Sequence, residues 1–255
     1  MDWMMGGMDP LAFWAAMAVT LFAGFVKGAV GFAMPLIMVS AFSAFLPPEM
    51  AVAGLILPTL ITNLSQATRQ GTGAAWESVR SYRRFLIATV VFIILSAPLL
   101  TVIPRTAYLL ILGVPVTVFA GLQLAGVPLA LPLRHRAAAE WGLGILGGVF
   151  GGISGIWGPP LLVYLLSTGV QKTETVRVQG VVFLIGAVAL LVAHLRTGVA
   201  DAASLGFSAA LVVPAMLGML IGYRVQDRLD QARFRWWTQA LLVLTGLNLV
   251  RQALV

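Results

Sequence analysis

One short stretch carries the residue types that could hold an anion. "PTLITNLSQATRQ" (58–70) places Thr59, Thr62, Asn63 and Gln66 at i, i+3, i+4 and i+7 spacing, one face of a helix, with Ser65 beside them. Hydroxyls and carboxamides offer neutral donors, and Asn63 and Gln66 are the preferred partners for an oxyanion. Interhelical hydrogen bonding is the competing use of such a face, worth ~0.6 kcal/mol per contact on average. Lys27, in "GFVKGAVGFAMP", is the one Lys or Arg deep within an apolar run. A cation there is costly and usually functional, so it is a candidate partner for the anion; the alternative is a Lys that snorkels to an interface.

Glycine supplies the second kind of donor. "GGVFGGISGIWGPP" (147–160) lies within a long apolar stretch, and Gly and Pro break helices. A helix interrupted inside a membrane turns unsatisfied backbone N–H groups toward the break, where they suit an anion. Gly28, Gly31, Gly152 and Gly155, with Ser154, are therefore candidate binding residues; for any one Gly the competing reading is close helix packing. Trp157 stands beside the break as a cavity wall or a packing residue, and Gln179 is a further polar candidate. His194 is titratable, but its place next to Arg196 near a helix end suggests an interfacial role. Asp and Glu are absent from the apolar interiors, so no carboxylate relay or carboxylate sodium site is evident. No cofactor is expected, and the coupling ion, H+ or Na+, is left open.

These residues need a scaffold, and composition says which kind. The chain has 255 residues, 60% hydrophobic and 10% charged, with a mean hydropathy of +0.96; soluble domains carry about 25% charged residues. A core cannot absorb that apolar excess, so the remainder must face lipid. Apolar runs of ~20 residues can span a bilayer, and eight segments can be drawn, near 11–45, 50–68, 85–103, 107–131, 141–167, 176–195, 202–223 and 236–254. The net charge of +7 comes from Arg clusters between these runs, the pattern of cytoplasmic loops rather than of a nucleic-acid binder. There is no Cys, which excludes disulfides, thiolate metal sites and Cys nucleophiles, and two His are too few for a histidine-rich metal site. "MDWMMGGMDP" lacks the basic start of a cleavable signal peptide.

The chain repeats. Gly24, Gly28, Gly31 and Pro35 recur as Gly148, Gly152, Gly155 and Pro159 at a common offset of 124, "RQG" recurs as "RTG", and "GLQL" as "GLNL". This predicts two homologous membrane repeats, 1–131 and 141–255, joined by a basic connector, 132–140. Arg69, Arg80, Arg83 and Arg84 follow the second segment of the first repeat, whereas Arg224, Arg228, Arg233 and Arg235 follow the third segment of the second. Moving the charge by one loop suits inverted copies, provided segments one and five each enter and return on one side. If both instead span as Gly-kinked helices, there are eight crossings and the halves are parallel. The predicted fold is thus an all-α polytopic membrane protein, with inverted repeats and broken or re-entrant helices favoured.

These stretches resemble the TauE/SafE family of membrane anion transporters, the sulfite exporter or toluene-sulfonate uptake permease family. The likeness lies in a Gly-rich first helix ending in Pro, then an apolar helix with small polar residues and a basic R-x-G turn, all duplicated: "GFVKGAVGFAMP" with "LPTLITNLSQATRQG", and "GGVFGGISGIWGPP" with "VQGVVFLIGAVALLVAHLRTG". The first Gly run is sparser than the family pattern, with Ala and Phe at several places. The resemblance implies a secondary transporter of sulfite or an organosulfonate in the cytoplasmic (inner) membrane, working by alternating access. Its partners would be a small anion and the bilayer, with a homo-oligomer left open. An anion channel is the alternative. An intramembrane enzyme lacks support, since no Ser–His dyad, paired Asp or H-E-x-x-H motif is present, and no P-loop suggests ATP hydrolysis.

Overall fold

The computed structural model describes residues 8–130, 135–225 and 230–254. Arg134 of the connector, Arg228 and the first seven residues lie outside the described residues. Those described form eleven α-helices and one 3-10 turn, with no strand among them. They are α1 (Pro10–Val30), α2 (Met34–Phe42), α3 (Pro48–Thr68), α4 (Thr72–Ser81), α5 (Arg83–Ser96, continued by the 3-10 turn Ala97–Thr101), α6 (Arg105–Leu124), α7 (Arg136–Ser154), α8 (Gly158–Ser167), α9 (Lys172–Thr197), α10 (Ala202–Val225) and α11 (Gln231–Leu254). Six stretches are long and apolar enough to cross a bilayer, in α1, α3, α5 with its 3-10 turn, α6, α9 and α10. The protein is a multi-pass membrane protein. The sequence reading placed α4 in a loop; it is a short helix with one buried residue, Ser78.

Segments one and five each resolve into two helices that fold back. Phe13 near the start of α1 and Phe42 at the end of α2 both pack on Phe207, with ring centroids 6.4 and 6.1 Å away. Twenty-nine residues of one kinked helix would separate them by about 43 Å, so the chain has returned. In the second hairpin, Arg136 at the start of α7 donates from Nε to the Tyr164 hydroxyl of α8 at 3.0 Å. Both turns begin with a left-handed glycine, Gly31 (φ 88°) and Gly155 (φ 73°), whose N–H returns to Lys27 O and Gly151 O at 2.7 Å. Only glycine takes this conformation without a Cβ penalty. Pro35 and Pro159 then open the return helices, at a position where a missing N–H costs nothing.

The hairpins wedge between long helices at glycine crossings. A Cβ on Gly24 or Gly28 would run into the backbone carbonyls of Ala215 or Met219 on α10, and one on Gly148 into Thr89 O and Phe92 on α5. Dispersion at such close approach holds membrane helices together. At the centre α3 and α9 run antiparallel. Gln66 of α3 and Gln70 just past its end donate to Val176 O and Thr173 O in the first turns of α9, at 2.9 and 2.8 Å. At the opposite ends, a Cβ on Gly155 would meet Leu55 of α3 at 2.8 Å and Leu190 of α9 at 3.5 Å.

Basic residues collect at one end of this bundle. Arg177 bonds Ser78 and Gln70, Arg84 and Arg136 flank Glu140, and Arg69 lies over the ring of Tyr223, next to Arg224. At the other end α10 starts with a reciprocal cap, Ser204 N to Asp201 Oδ1 at 2.7 Å and Asp201 N to Ser204 Oγ at 2.9 Å. The hydrogen bonds from Ser204 hold the Asp201 carboxyl below the usual carboxylate range.

Within α3, Pro58 removes the N–H that Gly54 O would otherwise receive. Ser208 of α10 fills the gap: its hydroxyl donates to Gly54 O at 3.0 Å and accepts from Leu57 N at 3.0 Å. Ser208→Ala leaves Gly54 O buried without its partner, so it should destabilise the protein by about 1–3 kcal/mol, read as a lower melting temperature in detergent; an unchanged melting temperature contradicts this account of the kink.

Candidate functional site

The two hairpin turns meet at the middle of the bundle around a small cavity. Phe32 and Ala33 come from the first turn, Ile156 and Trp157 from the second, and Thr59 of α3 and Phe183 of α9 close the sides. Its volume is about 20 Å³, room for roughly one water. Ala33 is the sole described non-glycine with positive φ, at 80°. A non-Gly residue there is strained by about 1–2 kcal/mol, so the surroundings must hold the turn in place.

A polar cluster lies beside this cavity, one turn along α3 from Thr59. Lys27, fully buried, donates to Thr62 Oγ1 at 2.9 Å and to Asn63 Oδ1. Thr62 in turn donates to Pro58 O at 2.6 Å. Gln66 spends both amide hydrogens on carbonyls, Gly31 O at 3.0 Å and Val176 O at 2.9 Å. Gln179 is buried, with Oε1 3.5 Å from where a Cβ on Gly31 would lie. Lys27 forms no ion pair with a carboxylate among the described residues. Three buried groups of this region have no hydrogen-bond partner: the Thr59 hydroxyl, Asn63 Nδ2 and Trp157 Nε1. Orphaned buried donors are rare and call for an explanation.

The model of the sulfite exporter TauE/SafE family matches residues 16–249. The chain belongs to this family. No curated protein and no solved structure matches it. The TauE/SafE family is one of membrane transporters, so the buried cation and orphaned donors belong to a transport protein.

Not every candidate residue of this TauE/SafE protein faces the cavity. Thr59, Gly155 and Trp157 line it. Lys27, Thr62, Asn63 and Gln66 form the adjoining cluster, so the four-residue face of α3 is buried as one surface. Gly31 contributes a carbonyl to Gln66, not an N–H to open space. Gly28 and Gly152 were candidates for contact with an anion, but their Cα hydrogens pack into helix crossings, Gly28 on Met219 and Gly222, Gly152 on Ser96 and Ile93. Ser154 is used locally: its hydroxyl donates to Phe150 O at 2.6 Å and accepts from Ile156 N at 3.2 Å. Trp157 packs between Gly151 and Gly186, edge-on to Phe183 at 6.2 Å.

Two residues of this TauE/SafE chain differ from the sequence reading or escaped it. His194, read as interfacial, is fully buried, with Nε2 3.1 Å from Gly152 O. A carbonyl only accepts, so Nε2 carries the proton. Glu140, the last residue of the basic connector, is 3% exposed: Tyr164 donates to it at 2.6 Å, and Arg136 and Arg84 stand 3.4 and 3.6 Å away. Its i, i+4 spacing from Arg136 was the available signal.

Gly155→Ala combines a left-handed backbone with a 2.8 Å approach to Leu55. It should cost about 1–3 kcal/mol and lower the melting temperature by several degrees. Gly73→Ala, whose Cβ would meet nothing within 4 Å, should leave it unchanged. Equal melting temperatures for the two variants contradict the role given to the second turn.

Proposed function

We propose that this protein is a secondary transporter of a small anion, sulfite or a small organosulfonate, moving it across the cytoplasmic membrane by alternating access. The observation that carries the reading is Lys27, a buried cation without a carboxylate partner among the described residues, next to orphaned donors on Thr59, Asn63 and Trp157. A cation at membrane depth needs a counter-charge, and the anion would provide one. The 20 Å³ cavity is too small for sulfite, so in this reading the state described is closed and the hairpin turns separate to admit the anion.

In the same reading, residues 1–131 and 141–255 are inverted repeats, and the hairpins α1–α2 and α7–α8 enter the membrane from opposite sides. Support comes from the matched pairing of helices: α1 lies on α10 and α7 on α5, α3 and α9 cross antiparallel at the centre, and α6 lies along α11. The Arg-rich end then faces the cytoplasm, as the bias of basic loops requires. A cysteine at Ser81 should be labelled from the cytoplasmic side and one at Ala203 from outside. Both labelled from the same side is the outcome that sinks the inverted arrangement. The chain has no native Cys to confuse the assay.

Purified protein in liposomes should show saturable uptake of labelled sulfite that is stimulated by counterflow. Lys27→Met should lower sulfite affinity at least tenfold (about 1.4 kcal/mol or more) while the protein still folds. Flux without saturation or counterflow would favour a channel, and unchanged affinity in Lys27→Met would remove Lys27 from the site.

A further inference from the structure

A second, larger void lies behind the second hairpin turn and opens to the outer surface of the bundle, where Val118 and Leu146 of its lining are 54% and 50% exposed. It measures about 350 Å³ and is bounded by α6 on one side and by α7 and α8 on the other, with Leu112, Val116, Leu146, Phe150 and Pro160 in its walls. Its lining is hydrocarbon except for Ser154, whose hydroxyl hydrogen is already donated to Phe150 O. Ile156 is the one residue common to the walls of this void and of the central cavity. It is 7% exposed and sits between Gly155 and Trp157 at the turn. Ile156 thus stands between the small chamber at the hairpin turns and an apolar space many times its volume, with Ser154, Gly155, Trp157 and Pro159 as its neighbours in the two walls.

We infer that Ile156 is the specificity wall of the transporter: it confines the cargo to a small anion, and the void behind it is an apolar annex that would take the hydrocarbon part of an organic anion. The inference rests on the transporter reading above, since it assumes that the anionic group lies on the Thr59 and Lys27 side of the wall. The chemistry of the two chambers is complementary to an alkylsulfonate. One end has a buried cation and orphaned donors, the other has only hydrocarbon and no donor left to satisfy. With Ile156 in place, an alkyl tail has nowhere to go and lengthening it brings no gain. With the wall shortened, each methylene that passes into the void leaves water for an apolar surface, which strengthens binding about three- to fourfold.

The test uses purified full-length protein in liposomes and labelled sulfite counterflow, inhibited by methane-, ethane-, propane- and butanesulfonate. For the native protein, inhibition should not strengthen along the series. For Ile156→Ala it should strengthen about three- to fourfold per added carbon, and for Ile156→Val by a smaller factor in the same direction, which keeps the test available if the alanine variant does not fold. Leu146→Trp, which adds bulk to the wall of the void, should reduce the gain when combined with Ile156→Ala. The inference is overturned by a chain-length dependence that is the same in the native and Ile156 variants, as would follow if a lipid tail held the void. It is also overturned by a gain that Leu146→Trp leaves undiminished. If sulfite counterflow is absent, or indifferent to Lys27→Met, the transporter reading itself fails. Counterflow that depends on Lys27 but shows no effect of Ile156 refutes this inference alone.

Discussion

Within a bilayer there is no water to satisfy a broken helix, and the rest of this structure follows from that constraint. Every helix end placed inside the membrane must find its partners in the protein. At the first turn, Gly31 N–H closes back on Lys27 O, and Gln66 reaches across from α3 to Gly31 O. At the second, Gly155 N–H closes on Gly151 O, and His194 reaches across from α9 to Gly152 O. The same rule governs the break at Pro58, where Ser208 supplies what the proline removed. Each broken hairpin is thus tied to the long helix that follows it in sequence, and the two long helices are tied to each other at the centre.

The ties use different chemistry on the two sides, and that asymmetry gives the centre its character. The α3 side brings Thr59, Thr62, Asn63 and Gln66, all buried, together with Lys27 of the first hairpin. The α9 side brings Phe183 to the cavity, and the second hairpin brings Ile156 and Trp157. One wall brings hydroxyl, carboxamide and ammonium groups; the other is mainly apolar and shapes the space, with Trp157 Nε1 as its one orphaned donor. Burying Lys27 without a carboxylate is expensive for the fold, which is why we tie it to cargo rather than to stability. Glu140, by contrast, is buried among Arg136, Arg84 and Tyr164. It joins the base of the second hairpin to α5, far along α7 from the turn.

Much of this was legible in the residues. The spacing of Thr59, Thr62, Asn63 and Gln66 gave their common face, and the face is buried. The duplicated Gly and Pro cluster marked both breaks, and the Arg loops, which suit segments one and five only if they turn back, anticipated the hairpins that Phe13, Phe42 and Phe207 reveal. What the residues did not distinguish was the use of each glycine. Gly28 and Gly31 look alike in sequence, yet one packs a helix crossing while the other turns the chain, because that depends on which neighbour faces the missing Cβ. The burial of His194, expected at an interface, and of Glu140, which carries no expectation, is hidden for a related reason: only the partners that reach them make burial tolerable.

Sequence by itself determined the class of protein, the two broken segments, the polar face of α3 and membership in a transporter family, because hydropathy, periodicity and glycine placement act locally along the chain. Tertiary structure alone decided which donors stay unpaired, that Gln66 and His194 serve the broken ends, and that Ile156 lines both the small central cavity and the larger apolar void. Those properties belong to contacts between residues such as Gly31 and Gln66, or Gly152 and His194, that lie far apart in the chain. No local pattern encodes the distance between them, which is set by how closely glycine lets the helices approach.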